Sequence, residues 1–350
     1  LRHVYNTGDV TYYGISVSSV IGGIVGTADS AVISDVRHSG TVVGVSHIGG
    51  IVGDMKGGSV SQAVNAGEVH RNDLAIKNKD SNSEYIGGIV GNMAGTAALQ
   101  SVENSAPVSG TLRTGGIAGN MAGGSIRGAK NTGTVAGTTL VGGLAGEMTN
   151  GSTINTSSNS GSVTGGGEWV GGVVGNMAGG TSLYAVSNSG AVTNNAATTA
   201  TGGLAGETGG SIKNSHNTGA VTSKGSWTGG IAGNNNGGIG GTDAADSVYN
   251  TGDVSGYGVT GGVAGRNTNY IAGVYNAGTV NALGYRTGGI TGQNGGTIIN
   301  SYNKGVVTGN DVSYVGGIAG YNEGTIENVH NDNTISLSCP GKEAAWQYYG

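Results

Sequence analysis

The residue types that could do acid–base or metal chemistry are few and scattered in this sequence. Glu147 and Glu207 occupy the same position in two copies of a repeated motif, two copies apart. Strand spacing would separate them by roughly 10 Å, which is near the carboxylate separation of inverting glycosidases. Each lies among Asn residues, and neither has an evident supporting acid or base. A solvated pair of carboxylates is therefore the simpler interpretation.

Other catalytic and metal-binding signatures are missing. None of the six His residues is followed by Glu, so the H-E-x-x-H motif of metallopeptidases is absent. Cys339 is the single cysteine, which excludes an intrachain disulfide and a C-x-x-C metal knuckle. We therefore predict that the chain is not an enzyme and that it holds no cofactor and no metal.

Charge is concentrated in one irregular segment near residues 71–84. Only 10% of the residues are charged, yet this segment holds six of them: Arg71, Asp73, Lys77, Lys79, Asp80 and Glu84. Irregular loops on a rigid scaffold often carry function, although a tolerated insertion is the more common explanation. We take the segment as the first candidate for contact with a partner.

A second candidate surface consists of the residues two positions before each Gly-Gly pair. The larger ones are His47, Tyr85, Arg113, Leu140, Trp169, Trp227, Arg286 and Tyr314. Aromatic rings and guanidinium groups in a row can stack on sugar rings, while scattered exposed aromatics are also ordinary. Tyr85, Arg113, Trp169 and Trp227 complete the predicted contact residues.

Two further stripes invite a functional and a structural interpretation. All five Met residues share one position, namely Met55, Met93, Met121, Met148 and Met177. They could form an adaptable binding stripe, but a column that fills the core is favoured.

Thr residues such as Thr132, Thr134, Thr218 and Thr222 could order water as on an ice-binding solenoid, but Asp9, Glu68 and Lys304 interrupt that face.

These residues recur because the whole chain is repetitive. A Gly-Gly pair followed by two small or aliphatic residues and another Gly appears eleven times at a mean spacing of about 29. The first Gly of each copy is Gly22, Gly49, Gly87, Gly115, Gly142, Gly171, Gly202, Gly229, Gly261, Gly288 and Gly316.

A second signature, Asn-x-Gly-x-Val, alternates with the first. Its lead residue is Asn in every copy except His38, and four positions later a β-branched residue always follows, as in Val10, Val192 and Ile335. A third aliphatic column lies five residues before the lead position. Stacked Asn amides can hydrogen-bond to one another along an axis, so we predict an amide ladder.

The pattern predicts an all-β, single-domain β-solenoid with about 12 coils of about 27–29 residues and three short strands in each coil. Gly density disfavours helices, and each coil can bury its apolar side only against its neighbours. We assign residues 1–336 to the repeat domain and residues 337–350 to a C-terminal cap or the start of a following segment.

Composition and charge limit the kinds of partner that we expect for this chain. There are 15 basic and 20 acidic residues, for a net charge of −5, and no basic stripe, so we expect no nucleic acid. No run of 18 apolar residues occurs, so we expect no membrane span. The first residues lack a signal-peptide pattern, and we expect a processed product or a piece of a longer protein.

Several segments resemble the GLUG motif. The resemblance is carried by Gly-Gly-Ile-Val-Gly from Gly49, Gly-Gly-Leu-Ala-Gly from Gly142, and Gly-Gly-Ile-Thr-Gly-Gln-Asn-Gly-Gly-Thr-Ile from Gly288, followed by Asn-Ser-Tyr-Asn at 300–303. It extends over roughly residues 1–336. GLUG repeats occur in large bacterial secreted and surface proteins, including some IgA-cleaving metallopeptidases, and imply an extracellular, stalk-like or adhesive context without implying catalysis.

We therefore expect a secreted or bacterial cell-surface structural or adhesive rod. Its partner would be a cell-surface glycan, a protein or another copy of the chain. Two alternatives remain open: a carbohydrate-binding rod or accessory region of a larger secreted enzyme, and an ice-binding solenoid.

Overall fold

The computed structural model describes residues 1–14, 18–72, 84–197, 199–310 and 314–338. In this part of the chain the predicted fold is confirmed: the protein is an all-β parallel solenoid of about 11 turns with three sheets. The predicted number of coils, about 12, is close to this value. Asp73, Lys77, Lys79 and Asp80 lie outside the described residues, as does the segment 339–350.

The first sheet, here called the Val sheet, begins each strand at the predicted β-branched column. It has 12 strands. Their bounds are Val10–Thr11, Val42–Gly44, Val69–Arg71, Val108–Ser109, Val135–Gly137, Val163–Gly165, Val192–Asn194, Val221–Ser223, Val254–Gly256, Val280–Ala282, Val307–Asn310 and Ile335–Ser338.

The second sheet, the Gly-Gly sheet, ends each strand at the first Gly of the repeated pair. It has 11 strands. Their bounds are Val20–Gly22, His47–Gly49, Tyr85–Gly87, Leu112–Gly115, Thr139–Gly142, Val170–Gly171, Ala200–Gly202, Trp227–Gly229, Val259–Gly261, Arg286–Gly288 and Tyr314–Gly316.

The third sheet, the main sheet, has 30 strands because most coils cross it in up to three short segments. The prediction of three strands per coil thus matches the number of sheets. Within the main sheet, however, turns and a sharp corner divide the chain of one coil into two or three short strands. The segments after Gly-Gly are Val25–Ala28, Val52–Met55, Val90–Gln100, Ala118–Arg127, Ala145–Thr149, Val174–Met177, Ala205–Thr208, Ala232–Asn235, Ala264–Asn267, Thr291–Asn294 and Ala319–Asn322.

The remaining segments of the main sheet carry the third aliphatic column and the Asn column. They are Arg2–Asn6, Ala31–His38, Gly58–Asn65, Glu103–Asn104, Lys130–Asn131, Thr153–Asn155, Ser158–Asn159, Ser182–Tyr184, Ser187–Asn188, Ser211–Lys213, His216–Asn217, Gly238–Gly240, Val248–Asn250, Tyr270–Ala272, Val274–Asn276, Thr297–Ile299, Tyr302–Asn303, Thr325–Glu327 and His330–Asn331. One 3-10 helix, Ala244–Asp246, interrupts this side.

Every coil pairs with the next in parallel, and the pairing is in register apart from a shift between Gly95 and Ala98, so residues at the same repeat position stack in columns. Val163, Val192 and Val221 are direct strand partners and are fully buried. The Met column is also confirmed as core, since its side chains are at most 1% exposed. In later coils Asn235, Asn267, Asn294 and Asn322 take that position and hydrogen-bond in series at 2.7 Å.

The Gly-Gly pair marks a corner, as expected from the burial needed on both of its sides. Ile48 and Ile51, which flank the pair Gly49–Gly50, are both fully buried. A Cβ on Gly49 would lie 1.9 Å from the Val52 carbonyl oxygen, and one on Gly50 would lie 2.5 Å from the amide carbon of Asn65. Close backbone packing therefore requires glycine here.

The predicted amide ladder is present. From Asn65 to Asn303, each Asn of the column donates one Nδ2 hydrogen bond of 2.7–2.9 Å to the Oδ1 of the Asn in the following coil, and Asn331 is the last acceptor. The same Nδ2 also donates to the carbonyl oxygen two residues later, as from Asn188 to Gly190 at 2.8 Å. The two signatures of the repeat therefore meet, because each Asn packs on the second Gly of a Gly-Gly corner.

A second corner lies two residues after the third aliphatic column. Single residues there adopt a positive φ, including Asp35 at 51°, Thr156 at 48° and Asn300 at 51°. Non-glycine residues rarely occupy this region, so the repeated geometry shows that stacking holds the corner. Over the described ranges, no helix is long and apolar enough to cross a membrane.

Candidate functional site

The base of the charged insertion is closed by an ion pair. Arg71 Nη1 lies 2.7 Å from Glu84 Oε2, with the two side chains 14% and 1% exposed. Glu84 Oε1 accepts backbone hydrogen bonds from Thr111 at 2.5 Å and Leu112 at 3.3 Å. Burial raises the pKa of Glu84, while those hydrogen bonds and the Arg71 charge oppose the rise. Both residues are thus engaged inside the molecule, where they join the two ends of the insertion.

The residues two positions before each Gly-Gly pair form a line beside the Gly-Gly corner, here called the ridge, and their exposure varies from coil to coil. Its members in the described coils are Val20, His47, Tyr85, Arg113, Leu140, Trp169, Ala200, Trp227, Val259, Arg286 and Tyr314. Tyr314 is 59% exposed, whereas Leu140 and Val259 are only 4% exposed. Arg113, Leu140 and Trp169 adopt positive φ values of 48°, 57° and 56°.

Across the corner from the ridge runs a second line, here called the polar column. It lies five residues after the first Gly of each pair, and its members are successive strand partners. They are Thr27, Asp54, Asn92, Asn120, Glu147, Asn176, Glu207, Asn234, Arg266, Gln293 and Tyr321.

The ridge and the polar column contact each other within a coil, as from Arg286 Nη1 to Gln293 Oε1 at 2.6 Å, and between coils. In three places a ridge side chain contacts the polar-column residue of the next coil. The contacts are the ion pair between Arg113 and Glu147, the guanidinium of Arg266 5.6 Å from the Trp227 ring centre, and Arg286 4.3 Å from the Tyr321 ring centre. The structure thus joins side chains that are roughly one repeat apart in sequence.

In the first part of this surface the side chains mainly contact one another, although the buried Nδ1 of His47 has no hydrogen-bond partner. Arg113 pairs with Glu147 and also lies over the Tyr85 ring at 5.3 Å. Tyr85 in turn stacks on His47, with ring centres 4.8 Å apart. These four side chains therefore use much of their bonding capacity on one another.

The middle of the surface differs. Glu207 accepts from Asn234 Nδ2 at 3.2 Å and from Asn236 Nδ2 at 3.3 Å, and it forms no ion pair among the described residues. Glu147 and Glu207 are in one column with Asn176 between them, as the spacing predicted. In the described part of the chain, no group of three His, Cys, Asp or Glu residues could hold a metal ion.

An aromatic stack on another side of the rod was missed by the sequence interpretation. His216, Tyr249, Tyr275, Tyr302 and His330 stack face to face, with ring centres 4.8–5.1 Å apart and planes within 10° of parallel. Burial, together with Tyr249 and Tyr302, raises the pKa of Tyr275. The sequence does contain a pattern that predicts this stack, since an aromatic residue directly precedes the ladder Asn in five consecutive coils.

The faces of these stacked rings cover one another, so mainly the ring edges remain available. In earlier coils the same position holds Arg37, Val64, Glu103 and Lys130. Those residues line an open groove of about 520 Å³ along the positive-φ corner. Glu103 and Lys130 lie 3.5 Å apart and are largely exposed, which is typical of a solvated pair.

The comparisons with known proteins give one match. Residues 311–336 match the family model described as the GLUG motif. The match is consistent with a GLUG-motif repeat protein, as the resemblance of the other repeats indicated. No curated protein and no solved structure matches the chain.

Proposed function

We propose that this chain is a non-catalytic structural and adhesive β-solenoid that works outside the cell, either secreted or displayed on a bacterial surface. The observation that carries the proposal is the parallel stack of coils, in which sheet hydrogen bonds and, from Asn65 onward, Asn amides run along one axis. Such an arrangement suits a spacer or a display rod better than an enzyme.

The physical basis is the additivity of a solenoid. Each coil contacts only its neighbours, so stability grows with coil number. About 11 turns at the usual strand spacing give a rod roughly 50 Å long. A rod of this kind holds its attached segments apart without needing any conformational change.

The absence of catalysis is part of the proposal and rests on how the candidate acids are used. Glu147 forms an ion pair with Arg113, and this contact holds the Glu147 side chain in place. Glu207 is held by two Asn amides, and no second titratable side chain is hydrogen-bonded to it among the described residues. Incubation with labelled polysaccharides and with casein should give no turnover. Turnover that disappears in Glu147→Gln or Glu207→Gln would contradict this.

Adhesion would be carried by the irregular features, because the regular coils resemble one another and offer little selectivity. The insertion at 71–84 and the ridge are such features. The partner would be a surface glycan, a protein or a second copy of the chain.

Bead attachment tests the adhesive role. Fluorescent beads coated with the chain should adhere to bacterial or epithelial cells more than albumin-coated beads. A chain with residues 73–82 replaced by Gly-Ser-Gly should adhere less, while an exposed substitution on another face, Tyr184→Ala, serves as the matched control. Adhesion no greater than that of albumin would reject the adhesive role.

A second candidate function is a carbohydrate-binding rod, or the binding region of a larger secreted enzyme. The observation in its favour is the ridge, which presents two partly exposed indoles, Trp169 and Trp227, the second of them against the guanidinium of Arg266. Indole faces and planar polar groups are suited to sugar rings and their hydroxyl groups.

A further inference from the structure

Trp169 and Glu207 occupy the same relation as the paired residues Arg113 and Glu147. Each first residue lies two positions before a Gly-Gly pair, and each Glu lies five positions after the first Gly of the next pair. Arg113 and Trp169 share the left-handed backbone conformation. A Cβ built on Gly146 or on Gly206, the residues before the two Glu, would lie 2.7 Å from the carbonyl carbon of Arg113 or Trp169. The backbone of Trp169 therefore lies next to the strand that carries Glu207, as the backbone of Arg113 lies next to the strand that carries Glu147.

The two positions differ in how the carboxylate is satisfied. Glu147 has a guanidinium partner, but Glu207 has only two long hydrogen bonds from Asn234 and Asn236. An ionised carboxylate has about four acceptor sites, so Glu207 retains free lone pairs. Glu207 is partly exposed and Asn236 is exposed, so a ligand can reach both.

The centre of this cluster contains an unsatisfied acceptor. Asn234 is 4% exposed, and its Oδ1 has no hydrogen-bond partner. A buried polar atom without a partner costs about 1–3 kcal/mol, so the polar column is not fully hydrogen-bonded at this position. Arg266, the next residue of the column, lies against the Trp227 ring.

We propose that Trp169, Glu207, Asn236, Arg266 and Trp227 form a binding site for a neutral oligosaccharide lying along the rod. A sugar ring has an apolar C–H face that packs on an indole and a rim of hydroxyls that both donate and accept hydrogen bonds. Glu207 accepts from those hydroxyls, whereas Asn236 and Arg266 donate to them. The opposite charges of Glu207 and Arg266 balance, which favours a neutral ligand over an anion.

The spacing fits a short chain of sugars. Trp169 and Trp227 lie two coils apart, which corresponds to roughly 10 Å of axial distance. The polar-column residues between them supply one hydrogen-bonding group per strand spacing. The site rests on the second candidate function, the carbohydrate-binding rod, and gives it a location and a ligand class.

The test is titration of the full chain with maltohexaose, cellohexaose, xylohexaose and mannohexaose, followed by tryptophan fluorescence and calorimetry. At least one should bind saturably and shift the emission. Glu207→Gln and Trp169→Ala should each weaken that binding ten-fold or more. The matched control, Glu147→Gln, should change it less than two-fold.

Three results would overturn the site: no binding of any of these probes at millimolar concentration, equal losses for Glu147→Gln and Glu207→Gln, or tighter binding of acidic oligogalacturonate. Should Trp169→Ala fail to fold, Glu207→Gln and Trp169→Tyr provide the same comparison with little change in volume. Retained bead attachment with no saccharide binding would reject this site alone and leave the adhesive rod standing.

Discussion

At the scale of single residues, His38 is the exception in the Asn column. It is 1% exposed, and neither ring nitrogen makes a hydrogen bond of normal geometry. Its ring packs against Gly23 as Asn65 packs against Gly50. The ladder therefore starts only at Asn65, and the first coils lack its amide connection.

His38 should make the first coils sensitive to acid. Burial lowers the pKa of His38, partly opposed by backbone groups of Asn6 and Gly40 and by Asp9. The folded state thus binds the proton more weakly than the unfolded state, whose His pKa is 6.5. Stability is fully present above that value and falls as pH decreases below it.

His38→Asn is expected to reduce this acid sensitivity and to add one ladder bond, worth about 1 kcal/mol at pH 7.5. Hydrogen exchange of residues 31–38 at pH 7.5 and 5.0 measures both effects. His47→Asn is a comparison at a second His whose pKa burial lowers. Identical pH dependence in the parent and His38→Asn would show that His38 is not the sensitive group.

The ladder itself makes a second prediction at this scale. Asn188→Ala removes a fully buried amide that accepts from Asn159 and donates to Asn217 and Gly190. We expect a loss of about 1–3 kcal/mol in unfolding free energy, because the neighbouring amides lose partners. Chemical denaturation measures it, with the exposed Asn195→Ala as control. If the variant were as stable as its parent, the ladder hydrogen bonds would contribute nothing to stability and Asn188 would serve only to form the corner.

At the scale of elements, the strand Val192–Asn194 alternates between core and exterior. Val192 is fully buried, whereas Thr193 lines a small outer cavity beside Thr222 and Tyr257. Val192→Asp should unfold the central coils, since a buried carboxylate without a partner is costly. Thr193→Asp should stay within about 0.5 kcal/mol of the parent. Equal shifts in melting temperature for the two variants would contradict the assignment of Val192 to the core and Thr193 to the exterior.

The insertion is expected to separate into a structural base and a dispensable remainder. Replacing residues 73–82 with Gly-Ser-Gly leaves the buried pair Arg71–Glu84 in place, so melting should hardly change. Glu84→Ala should instead cost about 3–5 kcal/mol, because it removes the carboxylate that faces the largely buried Arg71 charge. Circular dichroism melting compares the two. A large loss on replacing the loop would make the loop structural.

At the scale of the whole molecule, identical stacking makes a coil removable. Deleting residues 203–229 joins Gly202 to Gly230 and restores an intact Gly-Gly motif. Because stability is a sum over neighbouring coils, we expect a cooperative melt at lower temperature and unchanged ellipticity per residue. Deleting residues 203–215 removes about half a coil and should abolish folding. Equal folding of both deletions would contradict the in-register stack.

The sequence by itself determined the repeat, the three-sheet solenoid and the columns of Val, Asn and Met. It could do so because parallel in-register stacking places like on like, so periodicity along the chain becomes position in space. The amide ladder follows from the same rule, since one Asn per coil leaves each amide only its copies as axial neighbours.

The tertiary structure alone decided what meets across the corners. The contacts Arg113–Glu147 and Trp227–Arg266 depend on side-chain directions at a corner. Arg113 and Trp169 have a positive φ there. The sequence does not predict this, because neither position is a glycine. Stacking between coils holds these corners, and side chains about one repeat apart therefore become neighbours only once the coils are assembled.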